Sequence, residues 1–300
     1  MIEICNLVKS FGTKKALNNV SFTISKGSIF GLVGSNGAGK STLLRVLAGV
    51  YKADGGKLLV DGESTFENNA VKGKIAFISD YPYFVAGSTL ESCAKYYKTV
   101  YSNWNNEKFN HLKSIFPINS NQKIATMSKG MQRQCAIILA LSYMPEYILF
   151  DEIFDGLDPV VRELLKKLLI EFVDETGATV VIASHNLREL EGFCDHIGLL
   201  HNGGILLEKD IDGSSINLYR VQFILENEDS LNIIKSKLDV IKETHQGKMV
   251  QLTVRGELEN IEAVINRECP LFFEYLPLTL EELFICEMEV AGYEIKDLFK

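Results

Sequence analysis

Gly34-Ser35-Asn36-Gly37-Ala38-Gly39-Lys40-Ser41, followed by Thr42, satisfies the pattern G-x-x-x-x-G-K-[ST] in full. It comes directly after the apolar run Ser28-Ile29-Phe30-Gly31-Leu32-Val33. A helical pattern, Ser41 to Val50, follows it with Leu43, Leu44, Leu47 and Ala48 on one face. In that setting the glycines let successive backbone N–H groups turn inward on an anion, and the helix N-terminus adds its dipole. Lys40 is placed to reach the terminal phosphates of a nucleotide, and the Ser41 hydroxyl to coordinate Mg2+. A plain glycine turn before a helix is the bland alternative, which the flanking strand and helix disfavour. The loop alone implies a nucleoside triphosphate but does not choose between an NTPase, a GTPase and a kinase.

Other residues narrow the chemistry. Tyr147-Ile148-Leu149-Phe150-Asp151-Glu152 is an apolar run ending in acids. At the C-terminal end of a strand beside a phosphate loop, Asp151 would hold Mg2+ through its shell. Glu152 would accept a proton from the attacking water, or at least orient it. Met127-Ser128-Lys129-Gly130-Met131-Gln132-Arg133-Gln134 precedes an apolar helix, with Ser128 as a good N-cap and Gly130 permitting close backbone approach. Ala183-Ser184-His185-Asn186 follows the β-branched run Val180-Val181-Ile182. Asp80, after Phe77-Ile78-Ser79, carries a carboxylate able to accept from a Mg2+-bound water. His196 and His201 read as surface or strand-end residues, since no third metal ligand is evident near them.

These residues need elements that position them. Strand-like stretches open the chain at Ile2/Ile4 and Val20/Phe22/Ile24, before the buried run that ends in the glycine loop. Leu58-Leu59-Val60-Asp61-Gly62 looks like part of a hairpin, and Lys74–Ser79 like a strand. From about Thr89 to Met127 the chain is helical, polar and rich in aromatics: Tyr96, Tyr97, Tyr101, Trp104 and Phe109. A helix (Met131–Tyr143) and strands at Tyr147–Phe150 and Thr179–Ala183 follow. Alternation of this kind predicts a mostly parallel sheet with helices packed on it. Texture changes near Ser214. Tyr219, Val221, Phe223 and Leu225 alternate as a strand, whereas Leu231, Ile234, Leu238 and Ile241 recur at helical spacing. Val250/Leu252/Val254 and Leu271/Phe273/Tyr275 alternate again, and Ile261–Ile265 reads as helix. Thr279 and Glu282 make a capping box for a last helix. Residues 216–300 thus read as a small α+β domain, joined to residues 1–215 through Asp212-Gly213-Ser214-Ser215.

The 300 residues carry a formal net charge of −8, which argues against a nucleic-acid partner, because phosphate backbones demand basic surface. No stretch approaches the roughly 18 consecutive apolar residues that cross a bilayer, and the N-terminus lacks a signal-peptide pattern. The six cysteines are dispersed, with no C-x-x-C pair, as in a reduced cytosolic chain.

In order and spacing the motifs resemble those of ABC ATPases. Ser128-Lys129-Gly130-Met131 is similar to that family's signature, departing at Lys129 and Met131 from its Gly and Gln. Phe154-Asp155-Gly156-Leu157-Asp158-Pro159 resembles the D-loop, with Asp158 its hallmark acid. His185 resembles the histidine that touches the γ-phosphate, Phe11 the aromatic that stacks on adenine, and Asp80 stands where the family has its Q-loop glutamine. The resemblance implies an α/β P-loop NTPase core with an antiparallel β subdomain and a helical subdomain at about 89–127. It implies ATP and Mg2+ as cofactors, with Glu152, His185 and Lys40 catalytic, and Ser41, Asp151 and Asp80 toward the metal. It also implies a second nucleotide-binding subunit, because ATP on one glycine loop is covered by the signature of another chain. The helical subdomain would dock an integral membrane permease on a separate chain, placing the protein on the cytoplasmic face of the cell membrane. A C-terminal segment like Leu278-Thr279-Leu280-Glu281-Glu282-Leu283-Phe284 is similar, more loosely, to ATPase subunits of bacterial exporters. That tail would be regulatory, dimer-stabilising or a packing appendage. A soluble ABC ATPase acting on another assembly, or a nucleotide-sensing subunit with weak turnover, would use many of the same residues.

Overall fold

All five residues of the strand Ile29–Val33 are buried, as an unbroken apolar run requires when helices or strands cover both its faces. The computed structural model of the protein describes residues 1–210, 218–226 and 228–276, with Leu278 and Glu282. The chain divides into two units, Met1–Ile211 and Asp212–Lys300. The linker Asp212–Ser215, Thr279 of the C-terminal capping box, most of 278–284 and Cys286 lie outside the described residues.

In the first unit the chain runs β1 (Ile2–Phe11), β2 (Lys14–Ile24), β3 (Ile29–Val33), α1 (Lys40–Leu47), β4 (Gly55–Val60) and β5 (Glu63–Ser64). Next come α2 (Asn69–Lys72), β6 (Ile75–Ile78), α3 (Leu90–Val100), α4 (Asn106–Ile115) and a 3-10 turn at Ile124–Thr126. It continues with α5 (Lys129–Ser142), β7 (Tyr147–Asp151), α6 (Pro159–Thr176), β8 (Thr179–Ser184), α7 (Leu187–Leu190), β9 (His196–His201) and β10 (Gly204–Asp210).

Two sheets result. One is antiparallel, in the order β2-β1-β4-β5; the other has the order β10-β9-β3-β8-β7-β6 and is parallel except where β10 meets β9. Between them lies a core that includes Ile4, Leu7, Phe22 and Val60 from the first sheet, Phe30, Leu149 and Val181 from the second, and Leu44 and Leu47 of α1. Each such side chain contributes roughly 1.5–3 kcal/mol on burial. The register sets the function. Asp151 stands level with Ala183, and Val33 with Ser184, so β3, β7 and β8 end together along one edge. Open α/β sheets bind ligands beyond such carboxyl ends.

Helices α3 and α4 lie within residues 89–127, and α5, which follows that stretch, packs against both. Thr89 and Ser92 cap α3 reciprocally. Tyr101 stacks on Tyr143, the C-cap of α5, at 3.9 Å between ring centroids, while Tyr97 and Trp104 close the same cluster. Phe109 is buried, so these aromatics supply a local core, whereas Tyr96 faces solvent. Of the two histidines read as surface or strand-end residues, His196 opens β9 and His201 closes it, and His201 is buried.

The second unit contains β11 (Leu218–Ile224), α8 (Glu228–Lys237), β12 (Asp239–Gln246), β13 (Met249–Arg255), α9 (Leu258–Arg267) and β14 (Phe272–Leu276). Its sheet is antiparallel in the order β12-β13-β11-β14. Val221, Phe223, Leu252 and Val254 pack against Ile234 of α8 and Ile261 and Ile265 of α9. One expectation fails here. Ile241 does not continue the helix begun at Leu231: α8 stops at Lys237, and Ile241 lies in β12, at the irregularity between Val240 and Lys242 in that strand's pairing with β13. Leu238, whose N–H still donates to Ile234 O, keeps the helical spacing, whereas Ile241 fits it by spacing alone and the pairing of β12 with β13 overrides it.

Candidate functional site

The glycine loop leaves β3 and turns into α1 at Gly39, whose φ of 113° is a left-handed conformation that a side chain resists. A Cβ there would stand 2.4 Å from the Ala16 carbonyl oxygen. Gly34 and Ala38 are buried, Ser35, Asn36 and Gly37 are exposed, and Ser41 and Thr42 are half-buried. Lys40 is only 4% exposed. Its ammonium donates to Gly34 O at 2.6 Å and Ser35 O at 3.2 Å, and lies 3.2 Å from Glu152 Oε1. A buried ammonium needs such partners, and they hold it inside the loop that would wrap a phosphate.

Asp151 at the end of β7 is 1% exposed and accepts from Ser41 Oγ at 2.9 Å. Burial raises its carboxyl above the usual carboxylate range, with the Ser41 hydrogen bond opposing. Glu152 follows with a φ of 51°, an unusual conformation for a residue with a side chain. Its N–H donates to Ala183 O of β8 at 2.9 Å, which aims the side chain toward the end of that strand. Glu152 Oε2 lies 2.9 Å from His185 Nδ1 and accepts the His185 backbone N–H at 3.2 Å. That carboxylate raises the imidazole above its ordinary value of 6.5, with burial working against it. Lys40, Ser41, Asp151, Glu152 and His185 thus form one connected polar set along the edge where β3, β7 and β8 end.

Other expected positions sit on neighbouring elements. Ser128 caps α5, accepting from Met131 N at 3.2 Å, and it is exposed with Lys129; Gly130 is buried and Met131 half-buried. Asp158 is exposed and caps α6 by accepting from Val161 N at 3.0 Å, with Pro159 in the first turn. Phe11 ends β1, 47% exposed, edge-on to Tyr51 at 5.4 Å and 5.5 Å from Lys9 Nζ. Asp80 lies beyond β6, where its carboxylate is paired with the Arg133 guanidinium of α5. Arg133 belongs to no catalytic motif; its sequence signal is a cation between Gln132 and Gln134, just ahead of the apolar run of α5. Asp155 was likewise overlooked as chemistry, although ligand atoms of Glu152, Asp155 and His185 lie within 4.8 Å of one another.

Residues 17–155 match the family described as ABC transporter. The chain is 32% identical over 215 residues to the lantibiotic transport ATP-binding protein SrtF of Streptococcus pyogenes, covering 71% of this chain and 93% of that one. The chain belongs to the ABC transporter ATP-binding proteins. Over 287 residues it is 28% identical to the ABC transporter ATP-binding protein YtrB of Bacillus subtilis (strain 168), covering 96% of this chain and 98% of that one, so the likeness extends through the second unit. Among solved structures, the dimeric ABC transporter cassette MJ0796 superposes with a TM-score of 0.65 at 25% identity, over 71% of this chain and 100% of that one. The expected family and P-loop NTPase fold are therefore borne out. The ABC cassette described here binds ATP and is an ATPase, the energising subunit of a transporter. Among its described residues, no helix is long and apolar enough to cross a membrane.

Proposed function

We propose that this cassette hydrolyses Mg-ATP at the edge formed by β3, β7 and β8, as one of two nucleotide-binding subunits that close on ATP and drive a permease carried on a separate chain. The observation that carries the reading is the set Lys40–Glu152–His185 with Ser41–Asp151, assembled from three separate segments, 110 residues apart between Ser41 and Asp151 and 33 between Glu152 and His185. In this reading residues 34–42 wrap the phosphates with backbone N–H groups, and Lys40 pairs with the terminal ones. Phe11, exposed at the end of β1, stacks on the adenine. The Ser41 hydroxyl and the buried Asp151 carboxylate, 2.9 Å apart, are the hard oxygen donors that suit Mg2+. When bound there, the ion neutralises charge that builds on the phosphate oxygens. Glu152 orients the attacking water and takes its proton. His185, already held by Glu152, presents its other ring nitrogen to the γ-phosphate.

Ser128 and Gly130, with Lys129 and Met131 beside them, would cover the ATP held on a second subunit, and Asp158 would face that subunit across the closed dimer. Dimeric assembly of the structurally similar cassette supports this arrangement. The helical region at 89–127 would receive the permease, which would place the protein on the cytoplasmic face of the cell membrane. Export is the direction this reading favours, from the likeness to the lantibiotic transport ATP-binding protein. Residues 216–300 form an accessory domain in this scheme.

The test is a pull-down of tagged Glu152→Gln chain with ATP from detergent-solubilised membranes of the source cell, read by mass spectrometry. Recovery of a polytopic membrane protein is the expected result. Reproducible recovery of soluble partners alone would overturn the permease assignment.

A further inference from the structure

We infer that Arg133 is a positioning residue that ties the loop after β6 and the segment after β7 to the start of α5, and that Asp80 acts through Arg133 rather than on the nucleotide. This rests on the ATP site proposed above and concerns how its parts are held together.

Arg133 lies five residues after the N-cap Ser128 and is 5% exposed. A guanidinium so placed must be paired and hydrogen-bonded on its polar edges. Asp80 supplies this twice. Its carboxylate pairs with Arg133 Nη2, while its backbone oxygen accepts from Nη2 at 3.1 Å and from Nε at 3.3 Å. A planar fork can serve the side chain and main chain of one residue together, which an ammonium cannot do with the same geometry. Tyr81 adds a second link, its ring lying 5.3 Å from Lys129 Nζ.

The other side of the guanidinium faces the segment after β7. A Cβ built on Gly156 would stand 3.7 Å from Arg133 Nη1, and one built on Gly130 would meet the Gly156 carbonyl oxygen at 2.8 Å. Three segments therefore converge on one buried side chain: Asp80–Tyr81, the first turns of α5, and the loop around Gly156. The first of them leaves the sheet beside Glu152, because Ile78 of β6 is level with Phe150 of β7. The second presents Ser128 and Gly130. A shift of the Asp80 loop at one ATP site would accordingly move the surface that closes on the ATP of the second subunit.

The test uses the full-length chain as wild type, Asp80→Asn, Asp80→Glu, Arg133→Gln and the double variant Asp80→Asn/Arg133→Gln. ATP turnover (kcat and KM), equilibrium binding of a fluorescent ATP analogue with Mg2+, and melting temperature are measured for each. Asp80→Asn and Arg133→Gln should each lower kcat roughly tenfold, within the range for residues coupled in one ion-pair network. The nucleotide Kd should stay within about twofold, since the coupled groups do not touch nucleotide. Asp80→Glu should recover most of the turnover, and the double variant should be no slower than either single one. If Asp80→Asn weakens nucleotide binding about tenfold or more, or if the effects of the single variants on kcat multiply in the double, the inference is overturned. Should Arg133→Gln fail to fold, Asp80→Asn against Asp80→Glu decides by the same kcat-versus-Kd split. A wild-type chain that neither binds nor hydrolyses ATP would sink the site reading itself, whereas altered Kd in a competent wild-type background sinks only this inference.

Discussion

Replacing Glu152 by glutamine is the most direct probe of the proposed chemistry. The two carboxylate oxygens serve different partners: Oε1 is 3.2 Å from Lys40 Nζ, and Oε2 is 2.9 Å from His185 Nδ1. A glutamine keeps the shape but has one oxygen, so its NH2 must face either the Lys40 ammonium or the His185 backbone N–H, both of them donors. It also loses the charge and basicity that accept a proton. A positioned general base is worth about 10²–10⁴ in rate, or ~2.7–5.5 kcal/mol of barrier. The glycine loop and the Ser41–Asp151 pair are untouched, so binding should persist. The assay is phosphate release at saturating Mg-ATP, with nucleotide binding measured on the same preparation and mass by light scattering after gel filtration. The expected outcome is turnover at least about a hundredfold slower, nucleotide Kd no weaker than wild type, and a stable dimer in ATP. Turnover close to wild type would refute the role of Glu152; a monomer throughout would refute closure between identical chains.

Lys40→Ala removes the buried ammonium at the centre of the loop; turnover should vanish and nucleotide Kd rise about tenfold or more, and normal turnover would exclude the loop as the phosphate site. The raised imidazole of His185 makes a stability prediction with a definite sign: its pairing with Glu152 stabilises the fold fully below the ordinary histidine value of 6.5 and is lost as pH rises through the raised value. The stability advantage of wild type over His185→Gln, measured by denaturant unfolding, should therefore shrink from acid to alkaline pH, and a pH-independent difference would contradict the pairing. Phe223 is fully buried in the second unit; Phe223→Ala should cost about 3–5 kcal/mol there, lowering that unit's unfolding transition while leaving nucleotide Kd unchanged. A shifted Kd would show that the ATP site depends on that core.

Much of the site was legible because phosphate chemistry constrains adjacent residues. A glycine loop needs its glycines, lysine and hydroxyl within a few positions, and a buried strand ending in Asp151 and Glu152 announces itself by composition. Elements with a single clear period, such as β7, β8 and α5, were readable for the same reason. Less local features were not. Ile241 satisfied a helical spacing, but it lies in β12 because β13 offers a strand to pair with, and no short window records that offer. Likewise, the pairing of the Asp80 carboxylate with Arg133 comes from packing between distant segments, which no local spacing records.

By itself, then, the sequence determined the family of chemistry, the residues able to perform it and the strands and helices that carry most of them. Only the tertiary structure decided which of those residues meet. Lys40, Glu152 and His185 come within hydrogen-bonding distance because the parallel register levels the ends of β3, β7 and β8. Asp80 is taken by Arg133 because a buried guanidinium must find acceptors among whatever the packed chain places around it. Both outcomes depend on contacts between distant segments, which residue types and local spacing do not encode.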